Sequence, residues 1–137
     1  PLGGDFCALS LSDNLKPWEV VTARLAAALT ADFVICLYNP ISKARPWQLG
    51  KALELAAEHR NPATPVLFAR AVGRPDENLR ILTLAEAIAA AGTADMATLV
   101  MIGASSTRLI AREGAQPYVY TPRSVTKSPC ATSQGRT

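Results

Sequence analysis

The chain has 137 residues, of which 49% are hydrophobic, and this is enough to bury one core and predicts a single domain. Its 14 basic and 11 acidic residues give a net charge of +3 without a polybasic run. That balance argues against a nucleic-acid partner and suits a small polyanionic ligand. No apolar run approaches the roughly 18 residues that a membrane span needs. We therefore expect a cytoplasmic protein with neither a membrane nor a nucleic-acid partner.

The residues that usually carry metal or histidine chemistry are few and scattered. Cys7, Cys36 and Cys130 have no zinc or redox spacing, so we expect free thiols in a reducing compartment. The single histidine, His59, lies near the end of a predicted helix, where interaction with the helix dipole is its expected role. The sequence also lacks a Gly-rich dinucleotide fingerprint, a phosphate-binding loop and a nucleophile turn. Because its cysteines and its single histidine are not clustered at ligand spacing, the sequence predicts no metal site.

The first half of the chain alternates apolar strands with amphipathic helices. The patterns predict strands over 6–11 and 32–38, and helices over 18–30 and 46–58. Pro17 and Pro46 stand where the two helices begin, which is a favoured position for proline. The core of the second strand, 33–37, is continuously apolar, as is typical of a strand covered on both faces.

The second half predicts a hairpin, a helix and two further strands. Residues 65–71 and 79–82 form the hairpin, and Thr83 with Glu86 has the spacing of a capping box for a helix that stops at Gly92. A buried strand follows over 98–102, and a late edge strand over 118–120. Serine, threonine, glycine and lysine dominate 124–137, where we expect a disordered tail.

This order of elements predicts an α/β fold over residues 1–123, a three-layer sandwich with a mainly parallel mixed sheet. Ligands bind such sheets at the carboxyl ends of the strands. The segments that follow the predicted strands are therefore candidate sites, and four of them are polar: 10–13, 38–40, 70–73 and 103–108. We expect a parallel sheet to bring them to one edge.

Each of these candidates has an ordinary alternative. Ser12 and Asp13 can satisfy turn amides or cap the following helix. Arg70 and Arg108 can be solvated or ion-paired, and Tyr38 can be a core aromatic with a solvated hydroxyl. From the residues alone, both interpretations of each side chain stay open.

The loop over 41–47 adds two cations and an indole directly before the second helix. Arg45 can hold a carboxylate with two hydrogen bonds, and Lys43 can supply a point charge. The loop therefore suits an acidic ligand. The alternative is a solvated loop whose Trp47 packs on the sheet.

Several segments resemble, in their order along the chain, the precorrin-3B methyltransferases of cobalamin (vitamin B12) biosynthesis, which belong to the tetrapyrrole methylases. The resemblance runs from about residue 4 to residue 123. The matching segments are 5–13, 17–20, 37–40 with 42–43 and 45–49, then 73–74, 102–103 and 105–108, and the first two are the most specific.

The resemblance implies a fold and an activity. Tetrapyrrole methylases have two α/β domains with S-adenosylmethionine held between them, and the Gly-rich loop of the first domain is missing here. The chain therefore resembles the second, carboxyl-terminal domain only, and because it begins at Pro1 without methionine we expect a fragment. The implied reaction is methyl transfer to carbon 17 of a precorrin-3 type tetrapyrrole, with ring contraction. The implied partners are the missing N-terminal domain, the tetrapyrrole, with or without cobalt, and a second copy in a homodimer.

The resemblance also implies which residues bind which ligand. The residues expected to contact the methyl donor are Tyr38, Asn39, Ala71, Val72 and Gly73. Those expected to face the tetrapyrrole are Ser10, Ser12, Asp13, Lys43, Arg45 and Arg108, of which Asp13 is also the candidate general base.

Two departures from the family pattern bear on these assignments. Lys16 stands where the family has a threonine that could cap the next helix, so Asp13 is the alternative cap. Ala71 stands where the family has asparagine, which leaves backbone contacts to the donor at that position.

The competing hypothesis is a non-catalytic α/β module that binds a small ligand or a partner chain. A nucleic-acid-binding domain is a third hypothesis, which only the positive charge favours.

Overall fold

The computed structural model describes residues 3–125, which contain seven strands and three α-helices. In chain order they are β1 (Phe6–Ser10), α1 (Trp18–Thr30), β2 (Val34–Tyr38), α2 (Gln48–Ala57), β3 (Pro65–Arg70), β4 (Asn78–Thr83), α3 (Leu84–Ala90), β5 (Thr98–Ile102), β6 (Arg108–Arg112) and β7 (Ala115–Tyr120). Of the tail predicted over 124–137, residues 126–137 lie outside the described part of the chain.

Five strands form a mixed sheet in the order β1-β2-β5-β3-β4. Only β1 and β2 pair in parallel, whereas β5 runs antiparallel to both β2 and β3, and β3 and β4 form the predicted antiparallel hairpin. The mixed sheet and the α/β class are confirmed, but the prediction of a mainly parallel sheet is wrong. The hairpin reverses the chain before α3, so the strand after α3 runs against its neighbours.

The three helices cover one face of this sheet. Helix α2 packs between α1 and α3, and all three contribute to one core with alternate residues of the strands. Leu25, Leu53, Ile35 and Val100 are each fully buried there, and each such side chain contributes about 1.5–3 kcal/mol. All three helices of the described chain thus lie on one face of the sheet, so the second helical layer that the three-layer prediction implied on the other face is not found there.

The single helical layer follows from the handedness of the connections. Crossovers between strands of the same direction are right-handed. The path from β4 to β5 moves back across the sheet, but the strand direction is also reversed, so α3 lies on the same face as α1 and α2. On the opposite face Phe6 and Leu79, in the two edge strands, are 50% and 39% exposed, whereas Val34 and Leu67 in the inner strands are buried.

The helix ends agree with the sequence in one case and differ in two. Thr83 and Glu86 form the predicted capping box at the start of α3. That helix does not stop at Gly92 but ends at Ala90 and continues as a 3₁₀ turn over Ala91–Thr93. At α1 no side chain caps the first turn, so the prediction of Asp13 as its cap is wrong.

Strands β6 and β7 form a separate two-stranded hairpin. The predicted edge strand over 118–120 is therefore longer and belongs to no edge of the main sheet, which is a correction. Gly114, with φ +67°, makes the turn between the strands. Sequence patterning missed β6 because all five of its residues are exposed.

Among residues 3–125, none of the helices has the length and apolar character that a membrane span requires.

Arg60, just after α2, is 7% exposed and joins three parts of the fold. Its guanidinium donates to the carbonyl oxygens of Leu29 (2.7 Å), Phe33 (3.0 Å) and Gly103 (3.1 Å). Burial lowers the pKa of Arg60, and the charge of Asp32, 3.5 Å away, acts in the opposite direction. A guanidinium nevertheless stays protonated in proteins. Arg60 is therefore a buried charge whose hydrogen bonds join the end of α1, the start of β2 and the end of β5.

Replacing Arg60 with methionine should destabilise the chain strongly. Arg60→Met keeps much of the aliphatic volume but removes the guanidinium from three carbonyl oxygens, of which that of Leu29 still accepts from the N–H of Asp32. We expect a loss of about 3–5 kcal/mol in the free energy of unfolding. Urea denaturation measures it. The control is Arg24→Met, an exposed arginine of α1, which should change stability by less than about 0.5 kcal/mol. Equal losses in the two variants would contradict this role.

Candidate functional site at one edge of the sheet

The carboxyl ends of β1, β2 and β3 lie at one edge of the sheet because these three strands run in the same direction. Two of the predicted site residues meet there directly, since Asn39 Nδ2 donates to Ser10 Oγ at 3.1 Å. Ser10 Oγ also accepts from the backbone N–H of Ser12 at 3.2 Å. The first two of the four polar segments, 10–13 and 38–40, therefore lie together as predicted.

The fourth polar segment, 103–108, lies at the opposite edge because β5 is reversed. Gly103 N donates to the carbonyl oxygen of Pro65 at the start of β3 (2.9 Å), and Ser105 N donates to Asp32 ahead of β2 (2.8 Å). Arg108 stacks over the ring of Tyr120, with its guanidinium carbon 5.4 Å from the ring centroid. The expectation that Arg108 shares a site with Ser10 is wrong.

The loop that precedes β5 takes the place of that segment at the site edge. Its residues Asp95, Met96 and Ala97 border the cleft beside the loop after β2. Sequence reasoning missed all three, because nothing in their identity signals the direction of the following strand. They could have been predicted only if the antiparallel direction of β5 had been known.

A cleft of about 480 Å³ lies between the two loops, and we call it the wide cleft. It is lined by Ile41, Ser42, Lys43, Ala94, Asp95, Met96 and Ala97. Among the described residues, no carboxylate lies within 4 Å of the Lys43 ammonium. Lys43 therefore presents an uncompensated positive charge at the cleft.

A smaller cleft of about 250 Å³, the polar cleft, adjoins it and shares Ser42 and Met96 with it. Here Asp13 Oδ1 accepts from Arg45 Nε at 2.8 Å and from Gln48 Nε2 at 2.9 Å. Arg45 also donates to Asn14 Oδ1. Arg45 is thus engaged by Asp13 and Asn14, and Lys43 is the more available cation.

Two residues at this edge have left-handed backbone conformations, Asn39 (φ 50°) and Ala71 (φ 51°). Asparagine tolerates this region, whereas alanine pays about 1–2 kcal/mol for it. Ala71 is held there by its N–H, which donates to the carbonyl oxygen of Ala97 at 3.0 Å. The turn after β3 and the loop before β5 are therefore fastened to each other by backbone.

Arg70 is ion-paired, as its ordinary alternative supposed. Its Nε donates to Asp95 Oδ2 at 2.7 Å and its Nη1 to Asp76 Oδ2 at 2.9 Å. The hydrogen bond from Arg70 lowers the pKa of Asp95, and the two carboxylates raise the pKa of Arg70. Beside this pair, Val72 is 66% exposed.

The remaining sequence candidates are placed as follows. Tyr38 is 45% exposed at the end of β2, so it is not a core aromatic. Trp47 packs edge-to-face on Trp18, with ring centroids 5.0 Å apart, rather than on the sheet. Burial raises the pKa of both Cys7 and Cys36, which are free thiols. Within residues 3–125, no cluster of three or more His, Cys, Asp or Glu could hold a metal ion.

No protein-family model matches the chain. Individual relatives do match it. Over 123 residues, or 90% of this chain, it is 60% identical to the precorrin-3B C(17)-methyltransferase of Sinorhizobium sp, of which it covers 48%. The chain is similar to about half of a precorrin-3B C(17)-methyltransferase. The predicted resemblance to the precorrin-3B methyltransferases is thereby confirmed.

Other relatives agree with this match. The chain is 44% identical to the cobalamin biosynthesis protein CobIJ of Mycobacterium tuberculosis over 90% of its length, covering 24% of that protein. It is 42% identical to the probable cobalt-factor III C(17)-methyltransferase of Salmonella typhimurium over 78% of its length, covering 44% of that protein. The chain thus spans about half the length, or less, of these relatives.

Two solved structures share its fold. The crystal structure of the methyltransferase CobJ matches with a TM-score of 0.79 and 46% identity, over 89% of this chain and 48% of CobJ. A uroporphyrin-III C-methyl transferase from Thermus thermophilus, complexed with S-adenosylhomocysteine, matches with a TM-score of 0.50 and 22% identity, over 74% of this chain and 41% of that one. The predicted tetrapyrrole methylase fold is therefore confirmed.

The left-handed conformation of Asn39 generates a stability prediction. Both Asn39→Gly and Asn39→Val lose the hydrogen bond to Ser10, but glycine adopts this φ freely, so Asn39→Val should be about 1–2 kcal/mol less stable than Asn39→Gly. Urea denaturation of the two variants measures the difference. Ile35→Val, in the buried part of the same strand, calibrates the assay with an expected loss of about 0.5–1.5 kcal/mol. Valine as stable as glycine at position 39 would disprove the backbone constraint.

Proposed function

We propose that the chain supplies the carboxyl-terminal half of an S-adenosylmethionine-dependent methyltransferase that acts on carbon 17 of a precorrin-3 type tetrapyrrole, with ring contraction, in cobalamin biosynthesis. The observation that carries the proposal is the 60% identity to a precorrin-3B C(17)-methyltransferase across 90% of this chain. The paired clefts at the ends of β1, β2 and β3 support it.

The methyl donor is proposed to lie against Tyr38, Asn39 and the turn Ala71–Gly73. Exposed apolar side chains such as Val72 and Met96 suit a nucleoside, and Met96 lines the adjoining wide cleft of about 480 Å³, within the range of about 300–1,000 Å³ usual for small ligands. When bound, the donor supplies an electrophilic methyl group on a sulfonium. The residues of this chain orient it and exclude water.

The tetrapyrrole is proposed to contact the polar strand ends. Its acetate and propionate groups need cations, and Lys43 offers one that no described carboxylate neutralises. Ser10, Ser12 and Asp13 line the same edge, with Arg45 held by Asp13. Asp13 is the proposed general base. Arg108 is not proposed to contact the tetrapyrrole, because Arg108 lies at the opposite edge of the sheet.

Two protein partners complete the proposal, an N-terminal domain and a second copy of the chain. An N-terminal methylase domain would supply the other wall of the donor site, because the chain covers only 48% of its Sinorhizobium relative. A homodimer would bury exposed side chains such as Phe6 and Tyr118, which are 50% and 57% exposed. We further propose a cytoplasmic location, without a nucleic-acid or membrane partner.

The test joins this chain to the N-terminal half of the Sinorhizobium relative and measures methyl transfer to the tetrapyrrole. Lys43→Met should raise the KM for the tetrapyrrole about tenfold with little change in the KM for the donor, since one charge-assisted contact contributes about 1.5–3 kcal/mol. The matched control is Lys51→Met, an exposed lysine of α2 paired with Glu54, which should behave like the parent. Turnover unaffected by Tyr38→Ala would contradict the donor site.

The same experiment distinguishes the non-catalytic module. A joined protein that binds S-adenosylhomocysteine and tetrapyrrole in calorimetry but transfers no methyl group would favour a binding module over an enzyme. A joined protein that binds neither ligand would overturn the proposed function altogether.

A further inference from the structure

Arg70 connects two loops that come from distant parts of the chain. It is the last residue of β3, and its two acidic partners come from different loops, Asp76 from the turn toward β4 and Asp95 from the loop that enters β5. Different guanidinium nitrogens contact the two carboxylates, so both contacts form at once. The side chain is therefore a bridge between the two loops.

Asp95 also organises the loop to which it belongs. While its Oδ2 accepts from Arg70, its Oδ1 accepts from the N–H of Ala97 at 2.9 Å and from Thr98 Oγ1 at 3.0 Å. The N–H of Asp95 in turn donates to Thr98 Oγ1 at 3.2 Å. Both carboxylate oxygens are thus in use, and the backbone on each side of Met96 is fixed by one side chain.

Met96 is the residue that this loop presents to the ligands. It is 57% exposed and lines both the wide cleft and the polar cleft. An unbranched methionine side chain is flexible and makes no hydrogen bond that could orient it. Its position in the wall shared by the clefts therefore depends on the backbone conformation of Asp95, Met96 and Ala97.

Global stability does not account for this arrangement. The side chains of Arg70, Asp95 and Asp76 are 40%, 47% and 63% exposed, and exposed ion pairs contribute only about 0–1 kcal/mol. The hydrogen bond from Arg70 lowers the pKa of Asp95, so the carboxylate is charged and the pair intact at neutral pH. The pair can thus shape a loop while adding little to the stability of the fold.

We propose that Arg70 is a positioning residue, which holds Asp95 and Asp76 so that Met96 is fixed in the wall between the two clefts and sets the methyl donor against its acceptor. This inference rests on the proposed function, because it assumes that the donor and the tetrapyrrole bind at this edge, where Met96 lines both clefts. It adds Arg70, Asp95 and Met96 to the residues on which donor binding depends.

The test is a double-mutant cycle in the chain joined to the N-terminal half of the Sinorhizobium relative, with S-adenosylhomocysteine binding measured by calorimetry. Arg70→Ala and Met96→Ala should each weaken binding about tenfold. If Arg70 acts through Met96, the double variant should bind no more weakly than the weaker single variant. Arg70→Lys should recover part of the affinity, and Arg112→Ala on the β6–β7 hairpin should bind like the parent.

A second measurement reports on position alone. Methionine methyl groups labelled with ¹³C give one signal for Met96, assigned with Met96→Leu, and one for Met101 in β5, which serves as an internal control. Arg70→Ala and Asp95→Asn should shift the Met96 signal and leave that of Met101 unchanged. A thermal melt establishes that each variant is folded, so the signals can be compared.

The outcomes separate this inference from the proposed function. Failure of the unsubstituted joined protein to bind S-adenosylhomocysteine would overturn both. Binding that is normal in Arg70→Ala, or losses that multiply in the double variant, would overturn the positioning role and leave the proposed function standing. An unchanged Met96 signal in Arg70→Ala would also overturn the positioning role.

Discussion

Strand β5 runs antiparallel to both of its neighbours, and this orientation decides what lies at each edge of the sheet. It brings the loop with Asp95 and Met96 to the carboxyl ends of β1, β2 and β3, where the two clefts form. It carries Gly103 and the residues after it to the opposite edge, against the starts of β2 and β3. At that edge Arg60 donates to the carbonyl oxygen of Gly103, directly after β5, and also to those of Leu29 and Phe33, so it joins the end of β5 to α1 and to the start of β2.

Much of the local structure could be predicted from the sequence, since it depends on neighbouring residues. The bounds of α1 and β5 and the capping box at Thr83 follow from apolar spacing and from side-chain contacts three residues apart. Strand direction could not be predicted, because a buried strand has the same apolar composition whichever way it runs. Three of the wrong expectations, a mainly parallel sheet, a second helical layer and Arg108 at the site, come from this one ambiguity.

The candidate site was predictable in composition and not in pairing. Sequence reasoning found Ser10, Asp13, Asn39 and Lys43, which the structure places at one edge, because polar residues directly after apolar strands are visible in a sequence. It assigned both Lys43 and Arg45 to the acidic ligand. Only three-dimensional contacts separate them: Asp13 and Asn14 engage Arg45, while Lys43 faces the cleft without an acidic partner in the described chain.

Arg60 has a consequence for how the chain reaches this fold. Its three acceptors lie 43, 31 and 27 residues away in sequence, so the full set of contacts exists only when α1, β2 and β5 are all in place. A sheet with a strand shifted in register would bury the guanidinium with some of its donors unpaired, at a cost of about 1–3 kcal/mol for each orphaned group. The buried charge thus penalises incorrect strand arrangements as well as joining the correct ones, and it selects one topology among those that the apolar pattern alone would permit.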